Sequence, residues 1–199
     1  MSKKNMSMGE RQVRAIPCEL RARRDDSEAN PTIEGYFAVF NSTYEIWDDM
    51  SESVAPGAFT KSLKEQKDVR ALVNHDTTLV LGRTKANTLT LKEDAKGLWG
   101  CIQINPNDRA AMDLYERVQR GDVDGCSFGF DPITEESTTR EDGGVHFTIK
   151  ECRLWEVSCC TFPAYEETNI EARAADRAEM KKRETELWKA EMLAKLKGE

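Results

Sequence analysis

Three stretches carry side chains that could do covalent chemistry together. Gly121-Asp-Val-Asp-Gly-Cys-Ser-Phe-Gly-Phe130 sets one hydroxyl, Ser127, between Gly125 and Gly129, where a missing side chain lets a backbone or a substrate approach. Val69-Arg-Ala-Leu-Val-Asn-His-Asp76 ends near His75, one of two histidines in the chain. Leu154-Trp-Glu-Val-Ser158 holds a carboxylate, Glu156, between two bulky apolar residues. A serine hydroxyl attacks poorly until a base takes its proton. An imidazole that becomes charged in that step is stabilised and oriented by a carboxylate. Ser127, His75 and Glu156 are therefore read as nucleophile, general base and orienting carboxylate. Asp76 adjoins His75 and is too close in sequence to reach around the ring.

Each of these residues also has a plainer reading. Ser127 can be a buried strand serine beside two packing glycines, and His75 a partly buried histidine satisfied by backbone. Glu156 can be an edge charge that protects its strand from pairing. A cysteine peptidase would use Cys126, which alternation turns away from Ser127. His146 alternates with Val145, Phe147 and Ile149, so it falls on the polar face and is expected to be exposed rather than catalytic. An oxyanion would need backbone N–H donors near the serine, with Arg83 and Arg153 as candidate supports of that region.

The elements that must position these groups are mostly short strands. Val69, Ala71, Val73 and His75 share one face by the two-residue period, which puts His75 at the end of an inward row. The same period groups Leu154, Glu156, Ser158 and Cys160. Cys18 to Arg23, Ile33 to Phe40, Leu79 to Thr84, Asn87 to Lys92 and Leu98 to Ile104 read as further strands. Asn41 to Glu52 reads as an acidic surface flap, and Thr134 to Arg140 as a polar connection. Ala111, Leu114, Tyr115 and Val118 form an apolar stripe on a helix that Asn107 could cap and Gly121 ends. That helix delivers the chain directly to Ser127.

At 199 residues the chain suits one domain with a core and a tail. A net charge of −7 without a clustered basic stripe argues against nucleic acid as the main partner. No apolar stretch approaches the roughly 20 residues that span a bilayer, and no apolar run follows the basic start, so neither a membrane span nor a secretory signal is expected. The six cysteines, at 18, 101, 126, 152, 159 and 160, show no C-x-x-C pair and are read as reduced packing residues. With two distant histidines they offer no metal spacing, so no metal and no cofactor is expected. Residues 171–197 lack Gly and Pro and are rich in Ala, Glu, Lys, Arg and Met, which favours one long helix. About eight or nine strands and two helices before that tail predict a mixed, mainly β domain, a barrel or sandwich with packed helices.

Asn74-His75-Asp76, Leu81-Gly-Arg83, Gly121 to Phe130, Leu154 to Ser158 and Pro163-Ala164, in this order, resemble the prohead maturation proteases of tailed bacteriophages. That family is related in fold to the herpesvirus capsid-assembly protease. The resemblance covers residues 13–170 and implies a closed or partly open β-barrel with packed helices, herpesvirus-protease-like; residues 1–12, polar in composition, are expected to form a flexible N-terminus. It implies a serine endopeptidase that cleaves the major capsid protein and its scaffolding segment inside the assembling prohead, in the host cytoplasm, and that cleaves itself. Residues 171–199 would then be a removable or scaffold-binding tail, and the enzyme could work as a homo-oligomer. The related viral enzymes can place a second histidine where Glu156 is assigned here. A non-catalytic capsid- or scaffold-binding module is the alternative from a different class.

Overall fold

The computed structural model describes residues 12–17, 20–23, 30–65 and 68–161, together with residues 185, 186 and 189. The chain divides into two compact units, Met1–Ala164 and Tyr165–Glu199. The expected tail helix lies outside the described residues except at 185, 186 and 189, which are helical. The expected flexible N-terminus lies outside them too, apart from Gln12, which begins the first strand.

In the first unit the order is β1 (Gln12–Pro17), β2 (Arg21–Arg23), β3 (Thr32–Val39), β4 (Tyr44–Trp47), β5 (Met50–Val54), α1 (Thr60–Glu65), β6 (Arg70–Val73) and β7 (Asp76–Arg83). A 3₁₀ turn (Thr84–Ala86), β8 (Leu89–Glu93), β9 (Gly97–Gln103), α2 (Arg109–Arg120), β10 (Gly125–Thr139) and β11 (Val145–Cys160) follow. The fold is mixed and mainly β. One sheet of 7 strands runs β1-β10-β11-β5-β4, with β6 also on β11 and β7 on β6; a second sheet of 4 strands runs β2-β3-β9-β8. Among the described residues both sheets end in strands with one neighbour, so of the closed or partly open barrel expected from the sequence the closed form is not present.

β11 organises the larger sheet. It pairs antiparallel with β10 along its length, while β5 and then β6 lie parallel to it on its other side. Between those two ladders its backbone is satisfied by the segment that links them. Cys152 N–H donates to the Ala58 carbonyl at 3.1 Å, and Leu154 N–H to Ser62 Oγ at 2.8 Å. Buried backbone donors must find partners, and α1 and the turn before it supply them where no strand does.

Several expectations change here. The acidic flap over Asn41–Glu52 is instead the β4–β5 hairpin, and β5 is buried throughout. Its Glu52 pairs with the buried Arg14 of β1, whose guanidinium also lies 5.5 Å from the Phe130 ring centroid. The polar connection Thr134–Arg140 instead continues β10, which runs for 15 residues. α2 buries Ala111, Leu114, Tyr115 and Val118 as its stripe predicts, and Gly121 ends it at φ 81°. The capping residue is Asp108, which accepts from Ala111 N–H at 3.2 Å, because Asn107 is drawn into a turn by Asn105.

The two faces of the large sheet differ in character. Cys126, Phe128, Val157, Cys159 and Ala71 enter the main core, with Phe128 edge-on to Phe59 at 5.4 Å. The opposite face of the same three strands carries Ser127, Glu156, Ser158, Cys160 and Leu72. Cys126 is disulfide-bonded, which corrects the reading of uniformly reduced cysteines, while Cys101, Cys152, Cys159 and Cys160 are free.

Candidate active site

β10 and β11 bring two of the sequence-predicted residues onto one face. Ser127 stands directly across the ladder from Ser158, and Gly129 across from Glu156. A side chain at 129 would collide with the carboxylate, since an added Cβ would lie 2.3 Å from Glu156 Oε1. The glycine after Ser127-Phe128 thus makes the space in which Glu156 is buried. Alternation alone would have grouped Glu156 with Leu154. A register shift between Gly129 and Phe130 separates them, so that Leu154 pairs with Phe130 and packs in the main core. This corrects the shared face expected for those two residues and is the work of a β-bulge.

His75 arrives by a different route from the one its sequence suggests. A continued strand would have aimed it at the core with Val69, Ala71 and Val73. β6 instead ends at Val73, and Val73 pairs with Asp76 across a two-residue turn. Both central residues have positive φ, Asn74 at 48° and His75 at 61°, the requirement of a type I′ hairpin turn. Asparagine and histidine are among the non-glycine residues that enter that conformation most often. The turn is tied to the end of β11: Asn74 N–H donates to the Cys159 carbonyl at 3.0 Å and Asn74 Oδ1 accepts from Thr161 N–H at 3.0 Å.

The turn lays the imidazole over the polar face. His75 Nδ1–H donates to Glu156 Oε1 at 2.7 Å, with both side chains almost wholly buried. The other carboxylate oxygen, Oε2, accepts from Ser158 Oγ–H at 2.7 Å, and His75 backbone N–H donates to Ser158 Oγ at 3.2 Å. Ser158 shows in the sequence as sharing Glu156's face, but nothing there points to this double contact. Burial opposes a charge on His75, yet hydrogen bonds with Cys160 and Glu156, and the charge of Glu156, outweigh it and push its pKa up to about 10.

Ser127 lies beside this pair, fully buried, on the adjacent strand. Its hydroxyl donates to the Arg14 carbonyl of β1 at 2.8 Å. His75 Nε2, the nitrogen not used by Glu156, lies 3.8 Å from Cys160 Sγ. The structure therefore joins His75 and Glu156 directly, and sets Ser127 across from Ser158 with its proton directed to β1. Val13, opposite Gly129, and Leu72, beside Ser158, add buried apolar walls.

The remaining candidates are placed elsewhere. His146 sits near the start of β11, ten residues or about 33 Å of strand from Glu156. It is half-buried rather than exposed, with Ser51 Oγ 2.8 Å from Nδ1 and Ser53 Oγ 2.8 Å from Nε2. Cys126, being disulfide-bonded and core-facing, offers no free thiol. Arg83 is engaged by both oxygens of Asp68, and Arg153 lies 4.0 Å over the Trp155 ring, so both oxyanion-support candidates are committed to other partners. Among the described residues no group of three or more His, Cys, Asp or Glu side chains could hold a metal ion, and no helix is long and apolar enough to cross a membrane.

Known proteins resemble this chain. The chain is 37% identical over 141 residues to the prohead protease of Enterobacteria phage HK97, an alignment covering 70% of this chain and 58% of that protein. The chain thus spans 58% of the length of that relative. The structure of the bacteriophage T4 capsid assembly protease matches 76% of this chain and 99% of its own, at a TM-score of 0.42 and 11% identity. The family model of the caudovirus prohead serine proteases matches residues 18–183, a span that contains His75, Ser127 and Glu156, and the chain belongs to that family.

Proposed function

We propose that the chain is a serine endopeptidase in which Ser127 is the nucleophile, His75 the general base and Glu156 the carboxylate that orients it. The observation that carries this reading is the buried 2.7 Å bond from His75 Nδ1–H to Glu156, made beside the strand that holds Ser127. That bond commits Nδ1, so proton transfer falls to Nε2. In the step proposed, Ser127 releases the Arg14 carbonyl and gives its proton to a neutral His75 while its oxygen attacks a peptide carbonyl. The imidazolium that forms is held by Glu156 and then protonates the leaving amine. Catalytic hydrogen bonds are often long or misdirected before substrate arrives, so the resting direction of the Ser127 hydroxyl is compatible with this role.

Membership of the family and the name of the HK97 relative support a reading of the substrates. The chain would cut the major capsid protein and its scaffolding segment inside the assembling prohead, and its own residues 171–199. Mass spectrometry of the purified chain, alone and with the capsid protein, tests this against Ser127→Ala and Cys160→Ala. Ser127→Ala should abolish cleavage, a loss of up to about 10⁶-fold, while Cys160→Ala should keep it. Cleavage that survives in Ser127→Ala and disappears in Cys160→Ala would make the thiol beside His75 Nε2 the nucleophile. Identical uncut masses for all three proteins would favour a binding module without catalysis.

A further inference from the structure

We propose that Ser158 is the positioning residue of this site, its one hydroxyl fixing both the Glu156 carboxylate and the backbone turn that carries His75. The inference rests on the assignment of His75 as base and extends it to a group that meets no substrate.

Three observations place the role on this hydroxyl. Ser158 Oγ–H donates to Glu156 Oε2 at 2.7 Å, which leaves Oε1 for His75 Nδ1–H. The same oxygen accepts the backbone N–H of His75 at 3.2 Å. That N–H belongs to a residue in the left-handed region, where a non-glycine residue persists only if its surroundings hold it. Ser158 is fully buried, between Ser127 on one neighbouring strand and Leu72 on the other. A free carboxylate on a flexible stem has several rotamers, and few of them meet the imidazole. The hydroxyl removes that freedom at one end of the His75–Glu156 bond, and holds the backbone at the other.

A purely packing role makes a different prediction. Loss of the hydroxyl alone, with the volume nearly kept, should leave the histidine's charge state unchanged if Ser158 only fills space. If it positions the pair, the bond from Nδ1 to Oε1 weakens and the proton on His75 is held less tightly.

The test uses the full chain. Histidine ring signals are followed by NMR across pH in the Ser127→Ala background, with and without Ser158→Ala, so that no self-cleavage intervenes. Ser158→Ala should move the His75 midpoint down from about 10 toward the ordinary value of 6.5. In the active background, compared on the alkaline plateau of each pH profile where His75 is neutral, it should slow cleavage of purified capsid protein by about tenfold to a hundredfold, in kcat rather than KM. Ser158→Thr, which keeps the hydroxyl, should restore most of both. A His75 midpoint that stays put in folded Ser158→Ala overturns the proposal, whatever happens to the rate. Should Ser158→Ala fail to fold, Ser158→Cys, which keeps the volume and weakens the donor, decides by the same titration. Cleavage persisting in Ser127→Ala would instead sink the serine mechanism, and the titration would still judge Ser158.

Discussion

Gly129 and Glu156 face each other across the β10–β11 ladder so closely that the carboxylate occupies the volume a side chain at 129 would need. A Cβ there would lie 2.3 Å from Oε1, 3.1 Å from Cδ and 3.2 Å from Cγ. All three atoms belong to a side chain, so Gly129→Ala can be absorbed by moving Glu156 while the backbone stays. The displaced carboxylate would leave His75 and Ser158. We expect a folded protein, destabilised by about 1–3 kcal/mol, with a lowered His75 midpoint and, on the alkaline plateau where His75 is neutral, cleavage reduced at least about tenfold. Wild-type activity in Gly129→Ala would show that the buried position of Glu156 is not needed.

Glu156→Gln separates charge from shape. The amide can still accept from His75 Nδ1–H, yet it no longer stabilises an imidazolium. Activity should fall strongly, with about 10⁴-fold as the upper guide from an amide replacement in another serine protease. His146→Ala should leave cleavage unchanged, because Ser51 and Ser53 hold that ring at the far end of β11. It should cost about 1–3 kcal/mol of stability, since two hydroxyls lose a buried partner. An active Glu156→Gln beside a dead His146→Ala would overturn the assignment of the third member.

The charge on His75 sets a pH dependence with a definite sign. A histidine with a folded-state pKa near 10 is protonated at neutral pH, and a protonated ring cannot serve as base. The rate should therefore climb with pH, its acid limb lying well above 6.5. Stability should run the other way. The folded state binds the proton more tightly than the unfolded chain, so this contribution is fully present below about pH 6.5 and is lost as pH rises through about 10. Cys160→Ala removes one of the contacts that raise the midpoint, and should shift the acid limb downward. A limb at or below 6.5 in the wild type would contradict the charged resting histidine.

Arg14 and Glu52 make a buried ion pair between β1 and β5, with a second bond from Arg14 to Glu52 Oε2 at 2.9 Å. Removing one partner strands the other charge. Glu52→Gln should cost about 3–5 kcal/mol in denaturant unfolding. Replacing both residues by apolar ones of similar size should cost far less. A Glu52→Gln protein as stable as wild type would mean that water or another group already relieves Arg14.

Much of the site is legible in the order of residues, and what escapes is geometric. Ser127, His75 and Glu156 are picked out as candidates by type and by the glycines around the serine, and the structure joins His75 to Glu156. Their faces do not follow from simple alternation. Two left-handed residues carry His75 off the row of Val69, Ala71 and Val73, and a bulge divides Glu156 from Leu154. Strict two-residue counting misplaces both, and the two residues meet because both departures occur. The β4–β5 hairpin escapes for another reason. Met-Ser-Glu-Ser-Val reads as polar until Arg14, 38 positions earlier in the chain, is known to neutralise Glu52. Partners that distant leave no local trace. The open sheets are likewise a matter of which strand meets which, to which the pattern within each strand is blind.

The strands divide the site into a fixed and a movable half. Glu156 and Ser158 ride on β11 between β10 and β6, and Ser127 on β10 between β1 and β11. Their backbones are locked from both sides, and their amide hydrogens should exchange only when the domain opens as a whole. His75 belongs to a two-residue bend at the tip of the β6–β7 pair, in the left-handed region. Its amide is held by one bond to Ser158 Oγ rather than by a strand ladder, and should exchange through local openings before those of the strands. If His75 and Ser127 hold the proposed roles, a change confined to that tip would retune the base while the strand that carries the nucleophile stays in place.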